Sequence, residues 1–226
     1  MVKALAALLC VAALPAGAVE CRLALLLALD ISASVDQRED ELQRKGLARA
    51  LLAPAVQDAF LADPEGPVWL SAYEWSGPNN NETLLEWFQI TNAEDLSLAA
   101  GAIATSERSR DDLPTSLGYA LGAAATRFHH GPACERRTLD VSGDGRNNEG
   151  FPPESAYRAF DFGKIAVNAL AIAGGEAGLT EYYRDHLISG PGAFVIVADG
   201  FRDYEAAMTR KLLRELQGPL MGMADR

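Results

Sequence analysis

Leu25-Leu26-Leu27-Ala28-Leu29-Asp30-Ile31-Ser32-Ala33-Ser34 is an apolar run that stops at an acid, with two hydroxyls following at alternate positions. An unbroken run of this kind has the character of a strand buried on both faces. The pattern from Val35 onward is helical. Asp30-x-Ser32-x-Ser34 therefore falls at the carboxyl end of a buried strand, where open α/β sheets place their ligand sites. Three oxygen-bearing side chains on one tight turn suit a hard cation such as Mg2+. Each also has an ordinary structural use: Ser34 with Gln37 fits a helix capping box, and Asp30 fits an Asx-turn. The rest of the chain decides between these readings.

The 226 residues suffice for one full-sized α/β domain and not comfortably for two. A net charge of −11 argues against nucleic acid or an anionic membrane surface as partner. Residues 1–18 read as a secretory signal peptide: Lys3, an apolar core over 4–14, and Pro15-Ala16-Gly17-Ala18 ending in an Ala-x-Ala site. Glu20 and Arg22 interrupt the run before the roughly 20 apolar residues that a membrane span needs. Leu9 and Glu20 are the wrong neighbours for a lipid anchor on Cys10 or Cys21. The expectation is an exported protein, periplasmic or secreted, soluble after signal removal and not inserted in a membrane, with a single domain over 19–226.

Export leaves Cys21 and Cys134, and an oxidising compartment invites a disulfide between them. Cys21 precedes Asp30 by nine residues and Cys134 precedes Asp144 by ten. If the two acids end parallel neighbouring strands, the cysteines lie side by side at the starting ends, at a strand spacing of about 4.8 Å. That is within disulfide range. Two unpaired buried thiols are the alternative.

Taken in order, the chain alternates. Helices are expected over 35–52 and 54–61, then a strand over 67–75, the turn Ser76-Gly77-Pro78-Asn79-Asn80 and a hairpin strand over 83–90. The tryptophans of this hairpin, Trp69, Trp75 and Trp87, are expected to pack against the core or sheet edge. Thr91-x-x-Glu94 reads as a capping box before a helix to about 104, and 106–114 as a charged loop. Thr115 opens a helix to about 129. Strands over 138–142, 165–173 and 193–198 then alternate with helices over 153–162, 179–186 and 204–216. This is a doubly wound α/β fold with a mostly parallel six-stranded sheet, one antiparallel edge strand and helices on both faces. In it a crevice opens beside the first strand, and three loops meet there, carrying Asp30, Ser32 and Ser34, then Thr115, then Asp144.

Asp30-x-Ser32-x-Ser34, a Thr opening a helix, and Ser142-Gly143-Asp144-Gly145 ending a strand resemble the metal-ion-dependent adhesion site of a von Willebrand factor A (vWA) domain. The Val-Ser-Gly-Asp-Gly-Arg-Asn-Asn form, with Ala-Asp-Gly-Phe-Arg-Asp-Tyr near the end, is similar to a group of exported bacterial vWA proteins of unassigned role. Ser142-Gly143 stands where many members have Thr just before the Asp. The resemblance implies one divalent cation, Mg2+ or else Mn2+ or Ca2+. Ser32, Ser34 and Thr115 would coordinate it through their hydroxyls, and Asp30 and Asp144 directly or through water. It implies a protein partner that offers a Glu or Asp carboxylate to the ion, and no reaction. A rim for partner contact is expected from Glu74, Trp75, Arg110, Asp111, Asp112, Arg146, Asn147 and Asn148.

The competing function is a metal-dependent hydrolase or phosphotransferase with Asp30 as nucleophile. Such enzymes want a second acid two residues on, where this chain has Ser32. The histidines, His129, His130 and His186, do not suit a Ser-His-Asp relay, and no Gly-x-Ser-x-Gly elbow, Gly-x-Gly-x-x-Gly fingerprint or P-loop occurs. Asn81-Glu82-Thr83 is a glycosylation sequon by pattern alone. Asp140, an acid inside a central strand, needs a partner: a helix end or a serine behind the site, unless the strand position is an edge.

Overall fold

The computed structural model describes residues 21–62 and 66–217. The signal peptide expected over 1–18 lies outside them. Strands β1 (Leu23–Asp30), β2 (Val68–Trp75), β3 (Thr83–Ile90), β4 (Arg136–Gly143), β5 (Ile165–Ile172) and β6 (Val195–Ala198) form one sheet in the order β3-β2-β1-β4-β5-β6. All pairings are parallel except that of the edge strand β3 with β2. Helices α1 (Gln37–Leu51), α2 (Pro54–Leu61), α3 (Ala93–Thr105), α4 (Leu117–His129), α5 (Pro153–Ala159), α6 (Leu179–Tyr182) and α7 (Tyr204–Gln217) cover the two faces. Among the described residues no helix is long and apolar enough to cross a membrane.

The leucine run explains the centre of this sheet. Every residue of β1 is buried, because strands flank it on both sides and helices cover both faces. Alternation divides its side chains. Leu23, Leu25, Leu27 and Leu29 meet α1, α2, α3 and α7, whereas Ala24, Leu26 and Ala28 meet α4 and α5. Burying each leucine contributes roughly 2 kcal/mol, so an acid at Leu26 would break the layer. The β1–β4 pairing ends at Leu29 and Ser142. Beyond that point the strands part, and the chain reverses direction around β1.

At the other end of the same two strands, Cys21 and Cys134 are joined with their Cα atoms 4.8 Å apart. The adjacent Glu135 N–H donates to the Cys21 carbonyl at 3.0 Å. The bridge spans 113 residues, a closure worth about 5 kcal/mol in the chain-entropy account.

Several local expectations are corrected. Helix α1 is capped by Asp36 in a reciprocal box with Glu39, not by Ser34 with Gln37. A turn in which the Val35 N–H donates to the Ser32 carbonyl delays the helix and leaves the Ser34 hydroxyl free for other use. Helix α3 is capped by Asn92, while Thr91 bonds Asp95 instead. The helix expected over 179–186 is one α-turn passing into a π-turn at Tyr183–Leu187. Asp140 occupies a central strand and pairs with Lys211 of α7, whose Nζ lies 2.8 Å from Oδ2; it holds neither a helix end nor a serine.

Candidate metal centre

The three loops at the β1–β4 parting bring together all five side chains singled out by the sequence. Asp30, the last residue of β1, is 0% exposed. Its Oδ1 accepts the Ser32 N–H at 2.8 Å, so the Asx-turn is present and uses one oxygen only. Its Oδ2 is buried and meets no donor in good hydrogen-bond geometry, with only the Asp144 backbone N–H acting on the carboxylate from that side. The hydroxyls form a chain: Thr115 Oγ1 donates to Ser32 Oγ at 3.1 Å, Ser32 and Ser34 Oγ are 3.1 Å apart, and Ser34 donates to Asp144 Oδ1 at 2.6 Å. Burial, then the charge of Asp144, pushes the Asp30 carboxyl up to about 7. Burial also raises Asp144. Two acids share one poorly solvated pocket; the charge of Asp144 disfavours ionisation of Asp30, and that of Glu176 disfavours ionisation of Asp144.

Bare backbone makes the approach possible. A Cβ on Gly143 would lie 2.8 Å from Asp30 Oδ2 and 2.7 Å from the Tyr183 hydroxyl, and one on Gly145 would lie 3.2 Å from Thr115 Oγ1. The donor set is two carboxylates and three hydroxyls, all oxygen, one of them buried without a donor in good geometry. That chemistry fits Mg2+, Mn2+ or Ca2+. Among the described residues no three His, Cys, Asp or Glu side chains gather as metal ligands; a site here depends on its hydroxyls.

A supporting layer escaped the sequence reading. Gln43 of α1, wholly buried, donates through Nε2 to the Asp30 carbonyl at 2.9 Å and accepts from Ser142 Oγ at 3.2 Å. Arg108 donates to the carbonyls of Ile31 (2.8 Å) and Ser32 (3.0 Å), fixing the first loop from the second. Tyr183 donates to the Gly145 carbonyl at 3.1 Å, fixing the third. For α1 a signal existed: Asp40, Gln43, Arg44, Leu47 and Leu51 share the inward helical spacing, and polar residues on a core-facing stripe must have buried partners.

Residues 20–220 match the family described as "Protein of unknown function (DUF1194)". The chain belongs to this family. No curated protein matches it. Solved structures similar to this DUF1194 chain include proximal thread matrix protein 1 from the mussel byssus with a zinc-occupied MIDAS motif (TM-score 0.61, 14% identity, 88% of this chain and 48% of that one). A von Willebrand factor type A structure from Catenulispora acidiphila gives 0.61, 15%, 87% and 43%. The pilus adhesin SpaC from Lactobacillus rhamnosus GG, in its open conformation, gives 0.60, 14%, 87% and 30%. The DUF1194 chain thus has the vWA fold and spans about half or less of each of these proteins.

The rim needs revision. Glu74 and Trp75 of the DUF1194 chain are buried, 0% and 1% exposed, because β2 lies inside the sheet and both its faces are covered at this end. Glu74 is ion-paired to Arg44 and accepts the Ser109 N–H at 2.8 Å. Trp75 packs in the layer with α4. Trp87 packs on Phe128. Arg110, Asp111 and Asp112 are exposed, with Arg110 and Asp112 paired at 2.9 Å. Arg146 is half-exposed, 3.3 Å from Glu176 and over the Tyr182 ring. Asn147 and Asn148 bond to the start of α4. His129 and His130 are exposed at the far end of α4, and His186 pairs with Glu154.

Proposed function

We propose that this chain is an exported protein-binding module of adhesion type, holding one divalent cation at the β1–β4 crevice and clamping a Glu or Asp of a protein partner through it. The observation that carries this reading is the buried Oδ2 of Asp30, without a donor in good geometry, set beside a chain of three hydroxyls and a second carboxylate. Ser32, Ser34 and Thr115 would offer hydroxyl oxygens to the ion, and Asp30 and Asp144 their carboxylates, directly or through water. When bound, the ion supplies a positive centre with room for one anionic oxygen from outside. Neutral hydroxyls leave that charge under-compensated, so a partner carboxylate is favoured there. Adhesin and matrix proteins among the structural neighbours support a protein partner, and the zinc-occupied MIDAS of one of them supports a divalent ion.

The enzyme reading is weaker because Asp30 is 0% exposed. A nucleophilic carboxylate must reach its substrate, and Ser32 stands where the general acid belongs.

The test is thermal unfolding of the mature protein against Mg2+ and Mn2+, beside Asp30→Ala. Stabilisation of the wild type that disappears in the variant supports the site. Absence of any response in both sinks the clamp. A peptide carrying Glu, compared with its Gln analogue, then reads the partner chemistry, and a generic phosphate ester with and without Mg2+ reads hydrolysis.

A further inference from the structure

The two asparagines of Gly145-Arg146-Asn147-Asn148 turn toward the neighbouring loop. Thr115 N–H donates to Asn148 Oδ1 at 2.9 Å, and Asn148 N–H donates back to the Thr115 carbonyl at 3.0 Å. Asn148 therefore holds Thr115 at both its N–H and its carbonyl, and the Glu149 N–H also reaches that carbonyl at 3.3 Å. Ser116, at the cap position of α4, makes no side-chain cap bond. Asn147 Oδ1 accepts the Gly118 N–H there at 3.3 Å, and its Nδ2 donates to the Glu149 carbonyl at 3.2 Å. Thr115 itself is 2% exposed and reaches Ser32 Oγ. Asn148 lies four residues beyond Asp144, so the strand that carries the acid also carries the grip on Thr115 through a very short lever.

We infer that Asn148 is a positioning residue: it locks the Thr115 loop to the Asp144 loop, so that the hydroxyl and the carboxylate move as one unit. Asn147 assists by capping α4 from outside. The role in cation binding rests on the metal reading above, whereas the lock itself does not. A side-chain oxygen acceptor is what the lock requires, so Asp at this position keeps it and Ala loses it.

The experiment compares wild type, Asn148→Ala and Asn148→Asp by amide hydrogen exchange at Thr115 in metal-free protein, and by Mg2+ titration. Asn148 is exposed, so neither variant empties the core. In Asn148→Ala the Thr115 amide is expected to exchange about tenfold faster or more, with Mg2+ affinity down about tenfold, as for residues that orient ligands. In Asn148→Asp the Thr115 protection is expected to return. Unchanged Thr115 protection in Asn148→Ala overturns the lock. Wild-type protein that binds Mg2+ no better than Asn148→Ala overturns its role in the site and leaves the metal reading standing. If the wild type takes up no Mg2+, the metal reading falls, and exchange at Thr115 alone then decides the lock.

Discussion

Two clusters of buried acids lie along one strand and solve the same electrostatic problem differently. Asp140, in the middle of β4, shares Lys211 Nζ with Glu215, at 2.8 and 2.6 Å, and Asn168 donates to Glu215 at 2.9 Å. Asp144, just past the end of β4, shares its pocket with Asp30, and there the neighbours are hydroxyls. Burial raises Asp140, with Glu215 adding to the rise and Lys211 opposing it. Burial likewise raises Asp30 to about 7, but among the described residues no cation opposes it. One cluster carries its counter-charge on α7. The other has three hydroxyls beside its carboxylates and an opening between strands, so its charge is relieved either by a proton on Asp30 or, in the function proposed above, by a cation from outside.

Removing the internal cation should have the largest effect. Lys211→Met leaves two buried carboxylates without their partner, a loss of about 3–5 kcal/mol, read from the urea midpoint at constant slope. Adding Asp140→Asn should recover part of it, because the remaining charge is then single. A Lys211→Met protein as stable as wild type would mean that water already reaches the cluster, and the comparison would collapse.

Next comes pH. Asp30 goes from its ordinary 3.8 to about 7 in the folded chain, so the metal-free native state holds a proton that the unfolded chain releases. The resulting stability is fully present below about pH 4 and is lost as pH rises through about 7. Its size is on the order of a few kcal/mol, at about 1.4 kcal/mol per unit. Asp140 and Asp144, both raised, act in the same direction. Thermal unfolding in chelator from pH 4 to 8 should show this decline. Asp30→Asn should remove the Asp30 part of the slope, and Asp140→Asn the part from the other cluster. A flat profile in the wild type would refute the account of both sites.

What was legible in the chain, and what was not, follows the same division. Asp30, Ser32 and Ser34 stand next to one another at the end of an apolar run, and strand order places Thr115 and Asp144 beside them; local pattern and topology were enough. The cysteine pairing was legible for the same reason, since parallel neighbours start together. Lys211 gave only the clue that α1 gave, a charge on a core-facing stripe with Met208, Leu212 and Glu215; that its partner is Asp140 is decided by packing. Glu74 and Trp75 stand at a strand end but not at a rim, because β2 is flanked by β1 and β3 and its end is sealed by Arg44 and Ser109. Ser34 was a plausible cap until a turn moved the start of α1 to Asp36.

External charge should then act on one cluster only. Mg2+ at a hundredfold over its dissociation constant is expected to add about 2.7 kcal/mol to the wild type and nothing to Asp30→Ala. Because the ion needs ionised carboxylates, its effect should weaken below the Asp30 transition. Saturating Mg2+ should also flatten the Asp30 part of the pH profile while leaving the Asp140 part intact. Stabilisation by Mg2+ that persists in Asp30→Ala would place the ion elsewhere.

The smallest effect tests what lies between the clusters. Ser142 sits on β4 between Asp140 and Asp144, accepts from the Tyr204 hydroxyl at 3.2 Å, and donates to Gln43, which in turn donates to the Asp30 carbonyl. Gln43→Met keeps the volume and removes both polar ends, leaving the Asp30 carbonyl without its donor. A cost of about 1–2 kcal/mol is expected for the unmade bonds. The informative quantity is the difference between measurements with and without Mg2+. If Gln43 only fills and bonds, the cost is the same in both. If it orients Asp30 for the ion, Mg2+ stabilises Gln43→Met less than wild type and affinity falls about tenfold. A double variant with Ser142→Ala should then be less than additive, since the two residues hold the same end of β1.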